Sequence, residues 1–357
     1  MDLQTHAVTP ADPTSQTSGV RPPTARRSTL YKVFVGPQGL RAGWKIPILV
    51  VLMLVLLIVL MTPYGWIMGK PAPHSAPPMS LTLANEVASA VAALLATALL
   101  AKFLDRRPWG YFGLPLARAF RSEFWIGALI GFGTLAIQLE LMHLGGWFDF
   151  GQIVLHGSAI LRYGAFWTCF FLCVGFFEEG MLRGYSQRVL TNGMGFWPAA
   201  VVLSLPFALL HLGNSGENLL GILEVFANGM LMCLSLWRTG SIWFAVGNHA
   251  AWDWAQTFFF GTPDSGMKPI GALFAPSFHG PTLLSGGADG PEASVLVLLS
   301  EALTAALILI LYRKRKYPLM KHPEPPPEPV VIEELSRRTL CLSTFCRNSV
   351  ARIYGYC

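Results

Sequence analysis

The chain alternates between long stretches without a polar residue and short segments that hold most of its charge. Ile46 to Met61 contains no polar side chain, and Tyr64 and Trp66 follow it. About 20 such residues in a helix cross the hydrocarbon core of a bilayer, and aromatic side chains suit the headgroup level. The same pattern recurs along the sequence and predicts eight spans. They are Trp44–Trp66, Val87–Leu104, Phe124–Leu144, Tyr163–Leu190, Gly195–Leu212, Leu219–Trp237, Ser241–Gly261 and Ala293–Tyr312. Basic residues collect on the cytoplasmic side of membrane helices. With the N-terminus placed there, Arg26, Arg27, Arg41, Arg106, Arg107, Arg118 and the run Arg313–Lys316 all fall in cytoplasmic segments. Lys70, Arg162 and Lys268 fall outside, and Arg183 and Arg188 lie in the fourth span. The expectation is an all-α, polytopic membrane bundle of eight transmembrane helices with both termini cytoplasmic. In a bacterium it would sit in the plasma (cytoplasmic) membrane.

Composition narrows the alternatives. Only 13% of the 357 residues are charged, against about 25% in soluble domains. A soluble two-domain protein, a secreted domain and a wholly disordered chain are thereby excluded. The net charge of +6 invites a nucleic-acid partner, but basic residues flanking membrane helices produce the same surplus. The expected partner is the lipid bilayer, with no nucleic acid. Six cysteines without a CxxC spacing indicate neither a disulfide framework nor a zinc ribbon. Residues 1–43 read as a disordered cytoplasmic tail rich in Pro, Thr, Ser and Gly, with no cleavable signal. Residues 44–312 read as the membrane domain. Residues 313–357 read as a basic and then proline-rich cytoplasmic tail. Cys341, Cys346 and Cys357 in that tail have no assigned role, and Cys357, as the last residue, makes no C-a-a-X signal.

Ionisable residues inside spans are costly, which makes them functional candidates. The densest group is Glu178-Glu179-Gly180-Met181-Leu182-Arg183. The apolar stretch ahead of it is too short to span alone, so the helix must continue and bury the charges. Glu179 and Arg183 are four apart on one face, with the acid first, the favoured order for a pair. Glu178 points about 100° away and stays free of that arginine, as a general base requires. A purely structural ion pair is the competing reading. His211 ends an apolar helix after Phe207, where a histidine can be simple packing. His249 and Asp253 share a helix face, which is hard to explain as packing, although a histidine–carboxylate bond holding a helix kink remains open. Counted at 1.5 Å per residue from the cytoplasmic helix ends, Glu178, His211 and His249 lie roughly 18, 24 and 14 Å deep. Glu140, Glu224 and Glu301 lack a partner at a telling spacing and read as structural or as lining a polar cavity.

EExxxR at Glu178–Arg183, FxxxH at Phe207–His211 and HxxxD at His249–Asp253 follow in order, with Asn228-Gly229-Met230 between the last two. This ordered set resembles the CPBP (Abi) family of intramembrane proteases, which includes type II CAAX prenyl endopeptidases and bacteriocin-processing or immunity proteins. The protease-like core would be about 163–261. The resemblance implies an intramembrane endopeptidase acting on a membrane-anchored or lipidated protein or peptide. Glu178 would activate water, His211 would help bind it, and His249 with Asp253 would complete the site. Glu179 and Arg183 would support them. The family is often called metalloprotease, so zinc or another divalent metal is left open, with Glu178, His211 and His249 as candidate ligands. Many relatives carry Asn where this chain has Asp253. An ionised carboxylate would repel an oxyanion, so orientation of His249 is the role expected of Asp253. Two other readings remain: a catalytically silent membrane adaptor or immunity protein of the same fold, and an ion-coupled transporter. The absence of an internal sequence repeat weakens the transporter.

Overall fold

The computed structural model describes residues 33–36, 39–68, 78–214 and 216–318. Most of the two expected tails lies outside these residues, as do Lys70, Cys341, Cys346 and Cys357. The described residues reach beyond 44–312 on both sides. Strands β1 (Val35–Gly36) and β2 (Gly39–Leu40) pair antiparallel just ahead of the first helix. After the last helix, the backbone N–H groups of Lys316 and Tyr317 donate to the Trp237 carbonyl.

Eight helices stand in the expected order. They are α1 (Ala42–Met68), α2 (Met79–Leu99), α3 (Ser122–Leu144), α4 (Ser158–Met194), α5 (Phe196–Leu210), α6 (Leu219–Thr239), α7 (Trp243–Trp254) and α8 (Val297–Leu311). Among the described residues, six helices (α1 to α6, two of them with short end turns) are long and apolar enough to cross a membrane. The chain is an integral, multi-pass membrane protein. Helices α7 and α8 are shorter than the predicted spans Ser241–Gly261 and Ala293–Tyr312. The reason is visible for α7. Every residue from Trp243 to Asn248 is buried by protein, so its length is not set by lipid.

One end of the bundle gathers the starts of odd-numbered helices and the ends of even-numbered ones. Lys45 of α1 pairs with Asp105, which follows α2. The other Asp105 oxygen accepts from Tyr185 Oη of α4 (2.6 Å). Arg118, ahead of α3, pairs with Glu123 and donates to the Thr239 carbonyl closing α6 (3.0 Å). Ser241, just before α7, donates to Glu123 as well (2.7 Å). Phe196 of α5 packs on Tyr317, beyond α8 (ring centroids 4.8 Å). At the opposite end Tyr64 and Ser80 join α1 to α2 (3.0 Å). There β3 (Phe148–Ile153) pairs antiparallel with β4 (Phe274–Phe278), tying the connection after α3 to that after α7. The two strand pairs are additions to the expected all-helical layout, and both lie outside the bundle's interior.

Helices α3 and α7 meet backbone to backbone. A Cβ added at Gly127 would overlap the Phe244 carbonyl oxygen, and one added at Gly131 would overlap that of Asn248. From the other side, a Cβ at Gly247 would overlap the Phe124 carbonyl oxygen. Gly127 and Gly131 form a small-xxx-small pair of the kind that lets membrane helices approach closely. This contact fixes the helix that carries His249 and Asp253.

Candidate active site

Glu178 and Glu179 close the α-helical part of α4. The next turn, Gly180–Ser186, is π-helical, and α-helix resumes at Gln187. Inserted π-turns of this kind often mark functional sites. Glu179 is fully buried, and its Oε1 accepts from Arg183 Nη1 (3.2 Å) and from His249 Nδ1 (3.0 Å). Arg183 also lies over the Phe207 ring, 5.4 Å from its centroid. The expected Glu179–Arg183 pair therefore exists, and it reaches across to α7.

Gly229, in the Asn228-Gly229-Met230 motif, makes room for the guanidinium. A Cβ there would stand 2.9 Å from Arg183 Nη2 and 2.7 Å from Ser204 Oγ. Gly229→Val is expected to push Arg183 off Glu179 and leave a buried charge unpaired. Losses of about 3–5 kcal/mol are usual for a broken buried pair, and thermal unfolding of purified protein would register it.

His249 is held from both sides. Its Nδ1–H is given to Glu179, while Nε2 lies 3.6 Å from Glu178 Oε2 and 3.4 Å from Asp253 Oδ2. Two carboxyl groups facing one ring nitrogen need a shared proton, on that nitrogen or on one of the two acids. Glu179 thus holds one ring nitrogen of His249, and Asp253, expected to orient that ring, lies against the other, the nitrogen that also faces Glu178. His211 opens a single 3-10 turn, His211–Gly213, at the end of α5. Its Nδ1 lies 2.9 Å from the Phe207 carbonyl, which can only accept, so Nδ1 carries the proton. This tautomer leaves Nε2 as the acceptor of the ring.

Glu178, His211, His249 and Asp253 line one cavity of about 310 Å³. Asn228 of the Asn-Gly-Met motif shares its wall, as do three residues that the motifs do not single out: Glu224 from α6, and Asp264 and Glu292 from the connections around α7 and α8. Of the span glutamates set aside in the sequence, Glu224 faces the cavity directly. Glu301 accepts from Asn228 Nδ2 (3.2 Å), and Glu140 lies on an exposed face. Asp264 lies outside the helices, where burial pushes its carboxyl up to about 7 against the opposing Thr257 hydrogen bond. Glu292 is likewise raised by burial and by Asp264, although it accepts from the Ser265 N–H (2.9 Å). No period or motif marks Asp264 and Glu292. Their position follows only from how the two connections fold back over the bundle.

Among the described residues, no three His, Cys, Asp or Glu side chains are grouped so as to hold a metal ion. Glu178, His211 and His249, the candidate ligands, all line the one cavity.

A family model described as type II CAAX prenyl endopeptidase Rce1-like matches residues 160–255. Over that stretch the chain is similar to this endopeptidase family. The match agrees with the resemblance to CPBP proteases seen in the motifs, and the model it names is that of a peptidase family. No curated protein and no solved structure matches the chain. The matched segment begins near the start of α4, takes in α5 and α6 whole, and ends just past α7. It therefore holds both glutamates, Arg183, both histidines and Asp253. The cavity extends beyond it, because Asp264 and Glu292 come later in the chain.

Proposed function

We propose that the protein is an intramembrane endopeptidase that hydrolyses a peptide bond of a membrane-associated protein or peptide. The observation that carries this reading is the convergence of Glu178, His211, His249 and Asp253, from three helices, on one cavity inside the bundle. Glu178 acts as the general base. It takes a proton from a water whose other hydrogen is held by His211 Nε2, and the water oxygen attacks the peptide carbonyl. The carbonyl π electrons move to oxygen, giving a tetrahedral oxyanion. When the C–N bond breaks, its electron pair goes to nitrogen, and the proton collected by Glu178 is delivered to the leaving amine. His249, fixed through Nδ1 by the Glu179–Arg183 pair, and Asp253 share a further proton beside this path. That proton gives the oxyanion a donor. A carboxylic acid kept protonated in an apolar site can serve in this way, which reconciles Asp253 with a position where relatives carry an amide.

The test is a comparison of protein termini in membrane fractions containing the wild-type protein or Glu178→Gln. New termini confined to the wild type support the proposal and name the substrate. Identical sets of termini, with both proteins inserted at equal levels, would favour the silent adaptor instead.

A further inference from the structure

We infer that the substrate enters the cavity from the membrane face opposite the basic end of the bundle, and so from outside the cytoplasm. This deepens the peptidase reading and rests on it for what enters, although the direction of access stands on geometry alone.

The walls of the cavity run from the middle of the bundle, where His249, Trp252 and Asp253 of α7 lie, toward the end where β3 and β4 pair. Helix α4 contributes Phe170, Phe171, Val174 and Glu178, all ahead of its π-turn. Helix α5 contributes Phe207 and His211 from its last turns, and α6 contributes Glu224, Val225 and Asn228 from its first. The remaining walls include Asp264, Ser265, Met267 and Glu292, in the connections at the end where β3 and β4 pair. His211 was also the deepest of the three residues in the count from the sequence, roughly 24 Å from the basic end of its helix.

Toward the basic end the bundle is plugged. Immediately beyond Glu179 lie Arg183 (2% exposed), Gln187 (0%) and Cys233 (1%). Gln187 Nε2 donates to the Phe196 carbonyl (2.9 Å), which closes the gap between α4 and α5. Leu236 and Val246, both fully buried, complete the plug. A peptide has no path through these side chains.

The two ends also differ in charge. Lys45, Arg106, Arg107, Arg118 and the run Arg313–Lys316 lie at the plugged end. Asp149, Glu217, Asp264, Asp289 and Glu292 lie at the open end, where the described basic residues are Arg162 and Lys268. The positive-inside bias makes the plugged end cytoplasmic. The chain thus selects a peptide segment exposed on the outer face, which separates it from proteases whose substrates are the cytoplasmic tails of lipidated proteins.

Side-specific labelling of the full-length protein tests this. In a background with all six cysteines replaced by serine, Ser265→Cys places a thiol on the cavity wall and Lys314→Cys places one at the basic end. The background must insert and melt like the wild type; if it does not, the native cysteines are kept and the labelling of wild-type protein is subtracted from that of each variant. A membrane-impermeant maleimide is applied to intact cells and to inside-out vesicles. The expected result is Ser265→Cys labelling at least 10-fold faster in intact cells, and Lys314→Cys the reverse. Labelling of both from one face overturns the inference. So does labelling of Ser265→Cys from inside-out vesicles alone, or from neither face while detergent-solubilised protein reacts. Labelling does not depend on catalysis, so failure of the peptidase reading and failure of this inference are separately visible.

Discussion

Glu178→Gln is expected to lower the rate of peptide hydrolysis by about 10³-fold or more while leaving insertion and thermal stability unchanged. General base catalysis contributes roughly 10²–10⁴-fold, and in this site the same group also carries the proton to the leaving amine. Glutamine keeps the shape of the side chain and removes only its basicity. Glu178 is suited to such a swap because it makes no ion pair with Arg183. It faces His249 Nε2 at 3.6 Å, and His249 keeps its bond to Glu179 when the exchange is made. Asp253→Asn supplies the contrast. An amide Nδ2 can donate to the oxyanion or to His249 Nε2, so a loss of no more than about 10-fold is expected, in keeping with an electrostatic role. The measurement is kcat/KM on a peptide spanning the site found by terminal proteomics, with both variants in detergent. Equal losses in the two variants would make Asp253 the base and overturn the assignment of Glu178.

Sequence made the chemistry easier to read than the scaffold. Glu178, Glu179, Arg183, His211, His249 and Asp253 were visible because ionisable groups are conspicuous in apolar helices and their spacings repeat a known order. The Glu179–Arg183 pair followed from i, i+4 geometry, and the structure contains it. The bond from His249 to Glu179 did not follow, since it joins residues 70 apart on different helices. Sequence spacing therefore points to Asp253 as a partner of the ring and leaves the hold of Glu179 on its other nitrogen unseen. The loop acids Asp264 and Glu292 were hidden for a related reason: a connection has no period, and only tertiary folding brings it over the cavity. The short length of α7 is hidden because hydropathy treats lipid and apolar protein as one solvent. One scaffold signal was present and unread. Gly127 and Gly131, four apart in an apolar helix, mark a close helix–helix contact, and the partner proves to be the helix that bears His249.

That contact leads to the second large effect, expected for Gly131→Val. The added side chain would meet the Asn248 carbonyl oxygen, with Asn248 C and Cα also only 3.1 and 3.2 Å from the new Cβ. These are backbone atoms on the residue preceding His249, so no rotamer change relieves the clash and α7 must move away from α3. Overpacking of this kind typically costs about 1–3 kcal/mol, occasionally more. The catalytic consequence is larger, because a displacement near 1 Å at the reacting groups can cost 10²-fold in rate. His249 would be drawn off Glu179 and away from Glu178 in the same movement. Gly133→Val, two residues along the same helix, separates this contact from a general effect of valine. A Cβ at Gly133 has no atom within 4 Å, so stability should stay within about 0.5 kcal/mol and activity should stay near wild type. Melting curves and hydrolysis rates of both variants decide the matter. A Gly131→Val protein as active as Gly133→Val would mean that the close approach of α3 to α7 does not position His249.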